Sequence, residues 1–81
     1  MSFVYVLKSL SVNKSYVGST NNLSRRLKEH EKGQSGFTKK FLPWKLIYTE
    51  DYATLADARK REKYLKSAAG RKFLKKVFAN H

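Results

Sequence analysis

The run Phe3-Val4-Tyr5-Val6-Leu7 is apolar on both alternating faces of an extended chain. A strand of this kind must be covered on both sides. The chain has only 81 residues, so helices have to supply that cover from within one small domain. We therefore expect a single domain over residues 1–81. Ser15 to Gly18 reads as a second short strand, and the polar Ser11-Val12-Asn13-Lys14 between the two suits a hairpin turn. Asn21 or Asn22 can cap a helix to about Lys32, with Gly33 ending it. Gln34 to Pro43 reads as a loop and Trp44 to Thr49 as a third strand. Thr54 caps a second helix through about Ser67, stopped near Gly70. Arg71 to Ala79 forms a third helix, with Phe73, Leu74, Val77 and Phe78 apolar. The order is β-β-α-β-α-α, an α+β chain with a small three-stranded sheet flanked by helices. The hairpin pair is antiparallel; pattern alone leaves the direction of the third strand open.

Charge narrows the function. Eighteen Lys and Arg stand against six Asp and Glu, a formal net charge of +12. Self-repulsion of that size opposes folding, and the usual reason to tolerate it is a polyanionic partner such as nucleic acid. No segment has the long amphipathic pattern of an interfacial helix, so a membrane surface is disfavoured. No apolar run approaches the roughly 18 residues that cross a bilayer, and the N-terminus lacks the marks of a signal peptide. The chain has no cysteine, which excludes disulfides and thiolate-held metals. A cytoplasmic location follows as an expectation.

Three polar residues stand on apolar helix faces. Around the first helix Arg26 and His30 fall on the arc of Leu23 and Leu27. Around the second, Glu62 falls within the stripe of Leu55, Ala58 and Leu65. Glu62 is the only acid after Asp57. Taken singly, each has a bland account. Arg26 can snorkel with its stem on Leu23, His30 can be a satisfied helix-end ring, and Glu62 can pair with Arg59 or Lys66 one turn away. Taken together, a guanidinium, an imidazole and a carboxylate point at a sheet carrying Tyr5 and Tyr16. These are the parts of a phosphodiesterase. A carboxylate can hold a divalent ion that keeps several waters. Arginine can donate to phosphate oxygens. A phenol or imidazole can take the proton of an attacking water. One carboxylate is too few for a two-metal site, which favours a single ion.

The stretches FVYVLKS, SYVGSTNNLSRRLKEH, PWKLIY and ADARKREKYLK, in that order, resemble the GIY-YIG nuclease superfamily, and most of all its small single-domain bacterial members. The likeness runs from Phe3 to about Leu74. It implies an antiparallel three-stranded sheet and matches Tyr5 and Tyr16 to the two motif tyrosines. Arg26 matches the catalytic arginine, His30 the histidine one turn later, and Glu62 the metal-binding glutamate. By that resemblance Tyr16 helps activate the water, directly or through His30. Arg26 holds the phosphate, Tyr5 supports the site, and Glu62 binds one magnesium or manganese ion. Gly18 lets the backbone approach closely and is placed with the nucleic-acid contacts. Phe3 stands where the family motif has glycine, and no asparagine occurs in Arg71 to Lys75, where some members carry one.

The remaining expected nucleic-acid contacts are Phe37, Lys39, Lys40, Arg59, Lys63 and Lys66. The lysines and arginines would steer a phosphate backbone, and Phe37, beside Gly36, would stack on an unpaired base. Phe41 and Trp44 read as core. Nothing resembles a base-reading motif, so recognition by structure is expected over recognition by sequence. The leading function is a metal-dependent endonuclease on DNA, with a protein partner possible for targeting. The alternative is a binding module that keeps the fold and charge without efficient cleavage.

Overall fold

The computed structural model describes residues 1–34, 36 and 38–80. The expected stacking residue Phe37 lies outside them. Strand β1 runs Ser2–Ser9, β2 Ser15–Thr20, helix α1 Leu23–Glu31, β3 Trp44–Tyr52, α2 Leu55–Leu65 and α3 Ala68–Ala79, with a short 3-10 turn at Thr38–Phe41 before β3. The sheet order is β2-β1-β3, and both neighbours of β1 are antiparallel to it. The direction of the third strand, open from pattern alone, is thus antiparallel.

The apolar strand is central, as its two-sided pattern requires. Val4, Tyr5, Val6 and Leu7 are each no more than 1 % exposed. Val4 and Val6 join Val17 and Ile47 against Ala58, Leu65 and Leu74, so α2 and α3 cover one face. Tyr5 and Leu7 turn to the other face, where α1 and the 3-10 turn close over them: Leu7 lines a small cavity with Leu27, His30, Trp44 and Leu46. A register shift falls where Val6 pairs with Tyr48 but Leu7 with Leu46. The skipped Ile47 and its neighbour Tyr48 both reach the α2–α3 core, the local twist a bulge permits.

The helix starts follow their caps. Asn22 accepts the Arg25 N–H, Thr54 that of Asp57 and Ser67 that of Gly70. Each cap satisfies an amide that the first turn leaves unpaired. Gly33 ends α1 in the left-handed region, φ 71°, where a residue without Cβ is favoured.

Two expectations change. Gly70 does not stop α2; it lies inside α3, which begins at Ala68 rather than Arg71. Ser67 is the stronger signal, because it ends one helix and caps the next. A Cβ on Gly70 would overlap the Tyr64 carbonyl and the Leu65 backbone, so the glycine lets α3 start against the end of α2. β3 also continues to Tyr52, past the expected Thr49. Its acidic residue Glu50 is bonded by the Tyr48 and Tyr52 hydroxyls and by Arg61 of α2, so a charge that argued for a strand end is neutralised across the sheet.

Candidate active site

The first half of the site is built on the α1 face. Arg26 and His30 are one turn apart and face the centre of β1. Tyr5 pairs with Gly18 across the strands. A Cβ on Gly18 would come within 2.5 Å of the Tyr5 hydroxyl and 2.9 Å of the Tyr16 ring. The glycine is itself buried. Its place in the site is the room it leaves for these two phenols.

The Tyr5 hydroxyl lies 2.8 Å from His30 Nε2 and accepts from Arg26 Nε at 3.4 Å. His30 Nδ1 meets the Thr38 hydroxyl at 2.7 Å. Both ring nitrogens are engaged, and the residue is 1 % exposed. The Tyr16 hydroxyl hydrogen-bonds with both Tyr5 and Arg26. Its ring lies 5.0 Å from His30 and 6.1 Å from Tyr5, centroid to centroid. Arg26 also donates to Glu29 at 3.1 Å.

The electrostatics follow from that packing. Burial, helped by the Arg26 charge, pulls His30 down to about 4. The ring is therefore neutral near pH 7. Burial pushes Tyr5 up to about 12, although Arg26 works against the shift, so Tyr5 keeps its proton. Burial opposes the Arg26 charge, but its bonds to Tyr5, Glu29 and Tyr16 outweigh it and raise the pKa further. The cluster holds one fixed positive charge, a neutral imidazole and at least one protonated phenol.

Glu62 arrives from the other side. Ser19 follows Gly18 and pairs with Val4, so its side chain stands on the face that α2 covers. The Ser19 hydroxyl donates to Glu62 Oε1 at 2.5 Å, and Lys66 donates to Oε2 at 2.6 Å. The Lys66 ammonium also lies 6.0 Å from the centre of the Tyr16 ring. Lys66 thus bridges Glu62 to the tyrosine around the β2 edge. Tyr5, Tyr16, Arg26 and His30 form one contact cluster. Glu62 does not share their face and joins them only around that edge.

The basic residues divide in the same way. Arg59, Lys63 and Lys66 surround Glu62 and line with it an open cavity of about 420 Å³. Lys39 and Lys40 are exposed on the 3-10 turn. Phe41 and Trp44 are half-buried and pack edge to face, 6.4 Å apart. A groove of about 880 Å³ between the hairpin and α3 carries Lys14, Lys66, Arg71 and Lys75 over a floor of Tyr16, Val17, Leu65, Leu74 and Phe78. The lining contains no acid. Sequence reasoning missed Lys14 as part of this surface, because no pattern places the hairpin tip beside α3. It also missed Ser19 and Thr38, ordinary hydroxyl residues until the fold sets them against Glu62 and His30.

The donors around Glu62 suit a divalent ion held by a single carboxylate, with water and substrate phosphate completing its shell. Among the described residues no group of three or more His, Cys, Asp or Glu could hold a metal without such help. Nor is any described helix long and apolar enough to cross a membrane.

Residues 1–76 match the GIY-YIG catalytic domain model. The chain is 39 % identical over 67 residues to the UPF0213 protein CPE1444 of Clostridium perfringens, covering 82 % of this chain and 71 % of that one. It is 37 % identical over 71 residues to the UPF0213 protein YazA of Bacillus subtilis, covering 86 % and 71 %. A UPF0213 protein of Staphylococcus aureus is 34 % identical over 76 residues, covering 93 % and 92 %. The solution NMR structure of the UPF0213 protein BH0048 from Bacillus halodurans superposes with a TM-score of 0.55 at 26 % identity, over 95 % of this chain and 85 % of that one. With the sheet order, the paired tyrosines and the domain match in agreement, the chain belongs to the GIY-YIG superfamily of nucleases, beside the small bacterial UPF0213 proteins.

Proposed function

We propose that the protein is a divalent-metal-dependent endonuclease that hydrolyses phosphodiester bonds in DNA, directed by structure rather than by sequence. The observation that carries this reading is the contact cluster of Tyr5, Tyr16, Arg26 and His30, with Glu62 reaching it through Lys66 at the β2 edge. A binding protein gains little from a half-buried carboxylate set in so basic a surface.

Arg26 holds the scissile phosphate and offsets the charge that grows on it. Its own bonds to Tyr5 and Glu29 fix the guanidinium before substrate arrives. Tyr16 takes the proton of the attacking water. Its hydroxyl is within hydrogen-bond reach of Arg26, which stabilises the phenolate that results. Tyr5, protonated, donates rather than accepts a proton, and neutral His30 orients it. Glu62 would hold one magnesium or manganese ion, which when bound polarises the phosphate and stabilises the leaving oxygen. Lys66 must release Glu62 Oε2 for this, and a substrate phosphate beside the groove offers its ammonium another partner. Lys39, Lys40, Arg59 and Lys63 supply the remaining electrostatic steering. Gly18 contributes the room for the phenols. A protein partner would add targeting.

A cleavage assay on branched, single-stranded and duplex DNA with magnesium or manganese tests the reading. Glu62→Gln is expected to abolish cutting while leaving DNA binding unchanged. Binding to all three substrates with no metal-dependent cutting would leave only a basic binding module on this fold.

A further inference from the structure

Thr38 is the one fully buried polar residue of the 3-10 turn. Its hydroxyl lies 2.7 Å from His30 Nδ1, and its carbonyl accepts the Trp44 indole N–H at 2.7 Å. The indole therefore pins the backbone that presents the hydroxyl. We propose that Thr38 is a positioning residue: its hydroxyl donates to His30 Nδ1 and holds the ring as the tautomer that carries its proton on Nε2. The role it serves rests on the reading of Tyr16 as the base.

The partner of one imidazole nitrogen decides the state of the other. The Tyr5 oxygen accepts from Arg26, which can only donate. Tyr5 has a single proton to give, and two neighbours within reach, His30 and Tyr16. Its hydrogen bond with Tyr16 works to keep Tyr5 protonated, the sign of a bond in which Tyr5 is the donor. With that proton spent on Tyr16, His30 Nε2 has to be the N–H that donates to Tyr5. A neutral imidazole then has a bare Nδ1, and the group facing it is the Thr38 hydroxyl. The row Thr38, His30, Tyr5, Tyr16 points each donor at the next oxygen or nitrogen. It ends on the phenol oxygen that must bear negative charge, where donors aimed in advance are most effective. Burial keeps His30 neutral, so the ring transmits orientation and does not take up the proton.

Long-range ¹H–¹⁵N spectra of the labelled protein read the tautomer directly, without metal or DNA. His30 and His81 are the two histidines, and His81→Gln assigns them. The expected result is an Nε2–H ring in the wild type and in Thr38→Ser, with Nδ1–H appearing in Thr38→Val. In cleavage, Thr38→Val should lose at least tenfold in kcat with KM within threefold, and Thr38→Ser should return to within threefold of wild type. An Nδ1–H ring in the wild type overturns the proposal. So does a Thr38→Val variant whose tautomer is unchanged, whatever its kcat. If Thr38→Val fails to fold, the wild-type tautomer decides alone. A wild type that never cuts refutes the nuclease reading, while the spectra still report whether Thr38 sets the ring.

Discussion

Two glutamates sit beside helix α2 with nearly the same shielding from water, and they are held in opposite ways. The side chain of Glu50 is 17 % exposed and that of Glu62 22 %, so burial does not separate them. Donors do. Glu50 accepts from the Tyr52 hydroxyl at 2.7 Å, the Tyr48 hydroxyl at 2.5 Å, and both Nε and Nη2 of Arg61. Its two oxygens are saturated, and Arg61 is itself stacked between the Tyr64 and Phe73 rings, 5.1 Å from each centroid. Glu62 receives one hydroxyl and one flexible ammonium among the described residues, and open space lies beside it. Arg61 and Glu62 are consecutive on the helix, so a turn of about 100° carries α2 from a structural clamp to a candidate ligand. A carboxylate with four fixed donors ties elements together. One with two donors and room beside it is available to a ligand.

The largest effect expected on this contrast is on turnover. Glu62→Gln should lower metal-dependent cleavage on the order of a hundred- to a thousandfold, with the thermal midpoint unchanged; single-turnover kinetics and a melting curve check both halves. An equal loss from Glu50→Gln, per folded molecule, would erase the distinction.

Acid titration comes next and requires His30 to be separated from Glu50. The folded pKa of His30 is depressed from 6.5 to about 4. Above pH 6.5 both folded and unfolded chains hold it neutral. As pH falls from 6.5 towards 4 only the unfolded chain gains the proton, so stability is lost over that window, by roughly 3 kcal/mol at most. Denaturation at stepped pH should show this slope, and His30→Gln should remove it. Glu50 is also depressed: burial opposes its ionisation, but Arg61 and the two phenols outweigh that. Its contribution is present above the ordinary carboxylate value of 4.5 and is lost as pH falls through the lower folded value. Glu50→Gln should flatten only this more acidic limb.

At neutral pH, Glu50→Gln should cost about 2 kcal/mol in urea unfolding, because Arg61 loses a charged partner. The figure is smaller than for a fully buried pair, since both side chains keep some contact with water. The smallest effect belongs to Lys66→Met. Removing an exposed partner of Glu62 should change stability by less than about 0.5 kcal/mol. Manganese binding, read by electron spin resonance, should nevertheless tighten. Weaker binding would mean that Lys66 helps to build the site instead of competing for it.

Much of the fold was legible because local rules act within short segments. Apolar residues on both faces of Phe3 to Leu7 required a central strand. Asn22 and Thr54 marked helix starts through their own side-chain oxygens, and Gly33 marked an end through its freedom at positive φ. Gly70 misled for an instructive reason. Read alone, a glycine after an apolar stripe is a stop; in the fold it is the gap through which two helix ends pass. The polar residues on apolar faces were the sequence trace of the site, and Arg26 and His30 do cluster with the two tyrosines. That trace could not say that Glu62 lies across the sheet from them, because helix periodicity gives a face without naming what the face packs against.

The sequence by itself determined the element order, the sandwiching of β1, the basic surface and the residue types available for phosphate chemistry, since each depends on neighbours within a few positions. The tertiary structure alone decided which hydroxyls meet His30 and Glu62, which glutamate is saturated, and where the cationic groove runs. Those depend on contacts such as Tyr5 with His30, Ser19 with Glu62 and Glu50 with Arg61. Their partners are far apart along the chain, and only the register of the sheet and the docking of the helices bring them within a hydrogen bond.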